Sequence, residues 1–152
     1  MAGLCARADV IVPNLTEAAF LLDRPYCAGG YDEAYIRELL KRLAGLGAPH
    51  AVLTGVSFAP NQVGVMGYHA AKDEFFSYFH RRLDVSFHGT GDIFSSTVVG
   101  ALMRGFSLEE ALALAADYTV DCIECTMNSP RHVWYGVEFE RAIPWLLERL
   151  HE

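Results

Sequence analysis

Apolar positions recur along this chain with two different spacings, which indicates that strands alternate with helices. A short apolar run at 9–12 ends at Pro13, as is typical of a strand that is buried in a parallel sheet and stopped by proline. From 31 to 47 apolar residues recur at helical spacing, with Asp32 as the expected N-cap and the final glycine as the stop. A second buried strand is predicted at 50–54. The order strand, helix, strand predicts a right-handed crossover with parallel pairing, and therefore the α/β class.

The middle of the chain predicts a β-hairpin followed by a buried helix. Two strand-like runs lie within 62–79 and are separated by the turn-like residues 71–73. The stretch 93–103 is apolar almost all round and ends close to a glycine. Such a pattern is typical of a helix that is covered on all sides.

Two more helices are predicted in the last third of the chain. Ser107 and Glu110 have the spacing of a capping box, and apolar residues then follow at helical spacing. A final helix is predicted at 139–150, where Pro144 removes one backbone donor and must either kink the helix or start it afresh. The only irregular stretch is 127–135, and no repeat or linker divides the sequence. We therefore expect a single domain over 1–152.

Composition and charge narrow the class of protein. With 152 residues, of which 52% are hydrophobic, the chain is long enough for one domain with a sizeable core. A net charge of −7 disfavours binding of nucleic acid or anionic membranes through bulk electrostatics, since those partners need clustered Lys and Arg. No run approaches the roughly 18 to 20 apolar residues of a membrane span, so we expect a cytoplasmic protein. The four cysteines lack the spacing of a zinc site and are expected to be reduced thiols.

The strongest candidate for chemistry is the loop formed by Gly89, Thr90, Gly91 and Asp92, which leads directly into the predicted apolar helix. Successive backbone N–H groups and the positive end of the helix dipole can converge there on a phosphate. Asp92 beside such an anion hole is suited to accept a proton from a substrate hydroxyl during phosphoryl transfer. The same four residues are also compatible with an ordinary tight turn in which Asp92 stabilises the helix start.

Two further candidates follow the predicted parallel strands, at the edge where open sheets bind ligands. Asn14 and Glu17 come after the first strand, and Glu17 is able to hold hydrated Mg²⁺, which uses few protein carboxylates. The same pair has the spacing of a helix capping box, and both roles can coexist. Thr54 and Gly55 end the second strand, and a strand that simply ends in a turn is the more common cause of such a pair.

Three motifs in this order and spacing resemble the ribokinase superfamily: PNLTEA at 13–18, LTG at 53–55 and HGTGDIF at 88–94. The opening ADVIVPNLTEA and the closing YGVEFERAIPWL at 135–146 are most similar to the bacterial pyridoxal (pyridoxamine) kinases. The resemblance covers the C-terminal, ATP-binding and catalytic half of that family only. It implies a partial three-layer ribokinase-like sandwich, in which a mostly parallel sheet with a β-hairpin is flanked by helices.

The resemblance also implies an activity and its cofactors. It implies ATP-dependent phosphorylation of the hydroxymethyl group of pyridoxal, pyridoxamine or pyridoxine, in vitamin B6 salvage. Asp92 would be the catalytic base, and Gly89, Thr90 and Gly91 would supply the anion hole. By the same resemblance, the cofactors would be ATP and Mg²⁺, and the partner would be a vitamin B6 vitamer.

The remaining site residues receive their roles from the resemblance as well. Asn14 and Glu17 would manage the ATP phosphates and the metal, with Glu17 as the metal residue. Thr54 and Gly55 would lie along ATP.

Two alternatives stay open at this stage. The first is another branch of the same superfamily, such as a hydroxymethylpyrimidine phosphate kinase or a sugar kinase, because the GTGD loop is shared. The second is a catalytically inactive truncated fragment that self-associates. We expect a homo-oligomer, a dimer, and we expect the 152-residue chain purified alone to have no measurable pyridoxal kinase activity.

Overall fold

The structure is a computed structural model that describes residues 2–27, 29–83, 85, 87–130 and 136–151. The chain divides into two compact units, Met1–Arg82 and Leu83–Glu152. The expectation of a single domain over 1–152 stays a prediction. Part of the irregular stretch predicted at 127–135, namely 131–135, lies outside the described residues.

The first unit contains a four-stranded sheet with the order β1-β2-β3-β4. Its strands are β1 (Val10–Ile11), β2 (His50–Val56), β3 (Gln62–His69) and β4 (Glu74–Arg81). The pairing of β1 with β2 is parallel, as predicted, whereas β2 with β3 and β3 with β4 are antiparallel. Within this chain the sheet is therefore mixed and not mostly parallel. The reason is that short turns join β2, β3 and β4, and only the connection from β1 to β2 contains helices.

Three helices accompany the sheet in the first unit: α1 (Ala2–Cys5), α2 (Leu15–Leu21) and α3 (Glu33–Ala44). Asp32 caps α3 as predicted, because its side chain accepts a hydrogen bond from the N–H of Tyr35 at 2.8 Å. The helix ends at Ala44, earlier than the predicted stop at Gly47. One apolar face of α3 is buried in a core shared with β2 and β3. The helical residues of this face are Ile36, Leu39, Leu40 and Leu43.

The predicted hairpin is confirmed as β3 and β4, and two glycines fix how closely its strands approach. Gly67 lies opposite Phe76, and Gly64 lies opposite Phe79. A Cβ added at Gly67 would overlap the Phe76 ring, and one added at Gly64 would overlap the Tyr78 carbonyl oxygen and then the backbone and ring of Phe79. Each phenylalanine therefore needs the space that the missing side chain of its glycine leaves.

The turn of the hairpin is attached to α3 by a polar cluster. The ammonium group of Lys41 lies 2.6 Å from the Asp73 carboxylate, and the hydroxyl of Tyr68 donates to the same oxygen at 2.9 Å. The hydrogen bond from Lys41 makes the largest contribution to lowering the pKa of the Asp73 carboxyl, and the hydrogen bond from Tyr68 makes the next largest. The ion pair of Lys41 and Asp73 is exposed and contributes little to stability, whereas Tyr68 is buried in the core.

The second unit is helical and comprises α4 (Thr90–Met103), α5 (Leu108–Met127), a 3₁₀ helix (Phe139–Ala142) and α6 (Ile143–Leu150). The capping box predicted for Ser107 and Glu110 is present at the start of α5. Pro144 lies in the first turn of α6, directly after the 3₁₀ helix. Of the two predicted outcomes at Pro144, the structure shows a helix that starts afresh.

The core of the second unit joins α5 to the 3₁₀ helix and α6. Tyr118 and Cys122 of α5 pack with Ala142, and the Tyr118 hydroxyl donates to the Phe139 carbonyl at 3.1 Å. Burial raises the pKa of the Cys122 thiol to about 11. This thiol is therefore protonated at neutral pH and is a packing group, not a nucleophile.

The prediction that the helix at 93–103 is covered on all sides is wrong for this chain. Phe94, Val98 and Ala101 are buried, but Val99 is 60% exposed and Met103 is 83% exposed. An apolar sequence pattern predicts that residues are buried, but it does not identify the part of the protein that buries them. The described residues bury only one part of the α4 surface. None of the described helices is long and apolar enough to cross a membrane.

Candidate active site

The N-terminus of α4 is open, because its capping position is occupied by a glycine. Gly89 has a φ of 88°, in the left-handed region that favours glycine, and offers no side-chain hydrogen bond to the helix. The first backbone hydrogen bond of the helix runs from the N–H of Ile93 to the carbonyl of Gly89 at 3.0 Å. The N–H groups of Thr90, Gly91 and Asp92 precede it and find no acceptor among the described residues. These donors are available to an anion.

Packing against the described residues does not explain why a glycine occupies position 91, in the first turn of α4. A Cβ added at Gly91 would meet no atom of the described residues within 4 Å, and its φ is not in the left-handed region. The neighbouring protein therefore does not require glycine there. Close approach of a ligand to the backbone is a physical reason for a glycine at this position.

Asp92 lies exposed in the first turn of α4, next to the open N–H groups. Its side chain makes no hydrogen bond within the described part of the chain, so it does not cap the helix in the way that Glu17 and Glu110 cap theirs. A carboxylate in this position is favoured by the helix dipole and is accessible to a substrate. Of the two interpretations left open by the sequence, the geometry is compatible with the general base and does not show a side-chain cap.

Asn14 and Glu17 form a complete capping box at the start of α2. The N–H of Glu17 donates to the Asn14 side chain at 2.9 Å, and the N–H of Asn14 donates to Oε2 of Glu17 at 2.9 Å. The capping role considered from the sequence is therefore realised. Both residues are exposed, and Oε1 of Glu17 has no hydrogen-bond donor among the described residues.

The loop after β1 is joined directly to the end of β2. The N–H of Thr54 donates to the carbonyl of Pro13 at 3.0 Å, and Asn14 forms a parallel bridge with Thr54. Gly55 has a φ of 72° at an irregularity in the pairing of β2 with β3, and the strand continues to Val56. The expected turn at Thr54 and Gly55 is thus a bulge inside the strand. It exposes Gly55 at the carboxyl edge of the parallel pair.

The first unit therefore brings together Asn14, Glu17 and Thr54, and the second unit holds Gly89 to Asp92. Sequence reasoning missed the contribution of Pro13, whose carbonyl ties the two strand ends together. The register of β1 against β2 is the signal that could have identified this role of Pro13. From the sequence, Pro13 was interpreted only as the residue that ends the first strand.

The donor set fits Mg²⁺ as a mostly hydrated ion. Glu17 offers one carboxylate oxygen that is not engaged in the capping box, and the described residues contain no group of three or more His, Cys, Asp or Glu side chains that could hold a metal. Mg²⁺ commonly uses one or two carboxylates together with waters and substrate phosphates. Glu17 is therefore suited to a metal that arrives with a nucleotide, and not to a permanent metal cage.

Comparison with known proteins identifies the family. The sequence model of the phosphomethylpyrimidine kinase family matches residues 1–134. This chain belongs to the phosphomethylpyrimidine kinase family. The resemblance to the ribokinase superfamily that the motifs predicted is confirmed by this match.

The proteins that this chain is similar to carry names of more than one kind. The thiamine biosynthesis bifunctional protein ThiED of Geobacter sulfurreducens is 35% identical over 117 residues, which cover 76% of this chain and 23% of that protein. A Bacteroides thetaiotaomicron protein described as a phosphomethylpyrimidine kinase, solved with pyridoxal, is 31% identical with a TM-score of 0.86 over 95% of this chain. Pyridoxal kinase of Lactobacillus plantarum is 30% identical with a TM-score of 0.83 over 97% of this chain.

The chain spans about half the length of the two solved structures, 51% and 52% respectively. The α/β class and the partial ribokinase-like fold predicted from the sequence are confirmed by these similarities. These similarities support a kinase and do not distinguish pyridoxal from hydroxymethylpyrimidine phosphate as the phosphoryl acceptor.

Proposed function

We propose that this chain forms the nucleotide-binding and catalytic part of a kinase that transfers the γ-phosphoryl group of ATP to the hydroxymethyl group of pyridoxal, pyridoxamine or pyridoxine. The observation that carries the proposal is the open N-terminus of α4. There Gly89 leaves three consecutive N–H groups without acceptors among the described residues, and the carboxylate of Asp92 is exposed beside them. A site with anion donors next to a base is suited to phosphoryl transfer.

In the proposed reaction the acceptor hydroxyl loses its proton to Asp92 while its oxygen forms a bond to the γ-phosphorus. The bond from that phosphorus to the bridging oxygen of ADP breaks, and the electron pair leaves with ADP. The N–H groups of Thr90, Gly91 and Asp92 stabilise the negative charge on the transferring group. Fixed donors of this kind need no reorganisation at the moment of reaction, which is why they lower the barrier.

The first unit supports the nucleotide. Glu17 would hold the metal through its free carboxylate oxygen, and Asn14, Thr54 and Gly55 would line the phosphate path. Mg²⁺, when bound, neutralises charge on the phosphates. Because the capping box fixes the Glu17 side chain, no ordering of that side chain is needed when the metal arrives.

Hydroxymethylpyrimidine phosphate is the second candidate acceptor, and the family match and the Geobacter relative favour it. The pyridoxal-bound Bacteroides structure and the Lactobacillus kinase favour the vitamin B6 acceptor. Pyridoxal presents a free primary hydroxyl, whereas hydroxymethylpyrimidine phosphate would accept the phosphoryl group on an oxygen of its own phosphate. The α4 N-terminus therefore has the same role for either acceptor, and proton removal by Asp92 is required only for the hydroxyl.

The test uses a single polypeptide, called here the joined kinase, in which residues 1–152 follow the half of the Bacteroides protein that they do not cover. Its phosphorylation of pyridoxal, hydroxymethylpyrimidine phosphate and ribose is measured by mass spectrometry of the products. The unmodified Bacteroides protein is assayed in parallel, so that a change in preference is attributable to this chain. Thermal unfolding with each ligand measures binding independently of turnover.

We expect ATP-dependent phosphorylation of pyridoxal, with a preference for it at least equal to that of the Bacteroides protein. A shift of preference to hydroxymethylpyrimidine phosphate would favour the second candidate. Stabilisation by ATP without phosphorylation of any acceptor would contradict the assignment of the α4 N-terminus as a catalytic site.

A further inference from the structure

Two histidines lie directly opposite each other on β2 and β3. His50 is the first residue of β2 and pairs with His69, the last residue of β3. Their Nδ1 atoms are 2.8 Å apart, and their ring planes are almost perpendicular, at 88°. Residues that are directly opposite in an antiparallel pair have Cβ atoms only about 4.5 to 5.5 Å apart, so the two backbones hold the rings together.

The surroundings of this histidine pair are fixed on both sides. On one side β2 and β3 continue in regular pairing, and on the other the N–H of Ala70 donates to the Pro49 carbonyl at 3.0 Å. The Phe76 ring lies 4.9 Å from the His69 ring and limits its rotation. Both histidines are partly exposed. The two imidazoles are therefore preorganised, so that little conformational entropy is lost when a ligand binds to both.

The short contact between the two nitrogens has room for one proton or one metal ion. In the neutral pair one Nδ1 carries a hydrogen and donates it to the other. With metal–nitrogen bonds of about 2.0 Å, two nitrogens at a right angle to the ion lie about 2.8 Å apart, and two at the tetrahedral angle lie about 3.3 Å apart. The observed 2.8 Å therefore matches neighbouring positions of a right-angled site, once each ring turns its lone pair towards the ion.

We propose that His50 and His69 form a two-histidine site for a divalent transition-metal ion, which binds Cu²⁺ and Ni²⁺ in preference to Zn²⁺ and does not bind Mg²⁺. Imidazole suits the first three ions, whereas Mg²⁺ prefers oxygen, and right-angled coordination is typical of Cu²⁺ and Ni²⁺. Among the residues that the structure describes, no group of three or more His, Cys, Asp or Glu side chains could hold a metal. Water would therefore complete the coordination, and we expect an ion that exchanges readily.

This histidine site is separate from the candidate nucleotide site. His50 begins β2, and Thr54 lies further along the same strand, about 13 Å away at the usual rise of a strand. A metal held there would join β2 to β3 at the end of the pair that is remote from Gly55, and would stabilise the first unit by mass action. The inference rests on the geometry of these two strands and not on the proposed function.

The experiment titrates the 152-residue chain, without an added histidine tag, with Ni²⁺. Ni²⁺ is the probe because copper and zinc also bind thiols, and the chain has free cysteines. Calorimetry measures the affinity, and the NMR signals of the imidazole rings locate the ion in the unmodified chain. We expect the signals of His50 and His69 to change together before those of the other histidines, and Mg²⁺ to leave both unchanged. No binding, or binding that first changes another histidine, would overturn the proposal.

Matched variants test the need for both rings. His50→Gln and His69→Gln each remove one ligand, whereas His80→Gln is the control, because His80 lies on the same hairpin opposite Val63 and not opposite a histidine. Each of the first two variants should weaken Ni²⁺ binding at least tenfold, and the control should change it less than twofold. Thermal unfolding without metal verifies that the variants fold, and the NMR titration of the unmodified chain decides the matter if one does not. Equal affinities for His50→Gln and His80→Gln would contradict the proposal without bearing on phosphoryl transfer.

Discussion

The helices α2 and α4 begin in opposite ways. At α2, Asn14 and Glu17 satisfy each other's backbone N–H groups, and Ser107 and Glu110 do the same at α5. At α4, Gly89 has no side chain, and the following N–H groups have no acceptors among the described residues. The first turn of every α-helix has such donors, so the difference lies in what satisfies them.

The stability lost at the open end is small. Glycine at an N-cap is only a few tenths of a kcal/mol worse than a good capping residue, whereas alanine costs about 0.5 to 2 kcal/mol. An open helix start therefore retains its donors at little expense to folding. The comparison indicates that the start of α4 is suited to binding an anion, whereas the start of α5 is stabilised by its cap. The start of α2 combines a cap with one carboxylate oxygen that the cap does not use.

The largest effect is expected from Asp92→Asn in the joined kinase. Loss of the general base should lower kcat by about 10²- to 10⁴-fold while the affinity for ATP changes less than threefold. Steady-state kinetics and an ATP titration measure the two quantities. Asp23→Asn is the control, because Asp23 is exposed and has a φ of 50°, which asparagine tolerates. Turnover of Asp92→Asn within threefold of the parent would remove Asp92 from the role of base.

Gly91→Ala separates the two functions of the open helix start. Alanine favours a helix over glycine by up to about 1 kcal/mol, and a Cβ at Gly91 meets no described atom, so thermal stability should stay equal or rise. Phosphoryl transfer should fall about tenfold or more, because the added methyl group obstructs the approach of the phosphate to its donors. Gly100→Ala, at another open position of α4, should show the gain in stability without the loss of activity. Equal activity of the two variants would argue against anion binding at α4.

Glu17→Gln and Glu110→Gln compare two chemically matched capping boxes. Glutamine keeps an oxygen for the cap but loses the charge, so both variants should be destabilised by no more than about 1 kcal/mol. Only Glu17→Gln should raise the Mg²⁺ concentration for half-maximal activity, by about three- to tenfold. Activity titrated with Mg²⁺ at fixed ATP measures this shift. A lowered melting temperature with an unchanged Mg²⁺ titration would show that Glu17 caps α2 and does not hold the metal.

The smallest effect is a pH dependence at α5. Hydrogen bonds from the Ser107 side chain and then from its backbone N–H hold the pKa of the Glu110 carboxyl below its ordinary value of 4.5. The charged form is therefore favoured in the folded state, so its contribution to stability is present above pH 4.5 and is lost as the pH falls through the lower folded pKa. Denaturant unfolding should show that the advantage of the parent over Ser107→Ala narrows between pH 7 and about pH 3.5. An advantage that grows in acid would contradict this assignment.

Features encoded within a few residues were predictable from the sequence. The capping box of Ser107 and Glu110 spans one helical turn, and the hairpin is specified by two apolar runs and the short turn between them. The restart at Pro144 follows from the missing backbone donor of proline. In each case the physical cause lies inside the segment that it shapes.

Features that depend on distant partners were not predictable in the same way. The antiparallel addition of β3 to β2 made the sheet mixed, and no local pattern distinguishes which side of β2 the hairpin joins. The contact between Thr54 and Pro13 depends on the register of strands separated by α2 and α3. At the candidate site, the sequence identified Gly89 and Asp92 as residues, whereas the positive φ and the unengaged N–H groups required coordinates.

The glycines under the phenylalanine rings of the hairpin also guard against misfolding. Gly64 and Gly67 have the same three-residue spacing as Phe76 and Phe79, so both rings lie over glycine in the native register. A slip of one residue would place Phe76 opposite Met66 or Tyr68, and Phe79 opposite Val63 or Val65. In a slipped hairpin both phenylalanine rings would therefore overlap with larger side chains on β3. We expect this to discourage kinetic traps and aggregation-prone pairings while the sheet assembles, because weakly specified strands are the ones that slip.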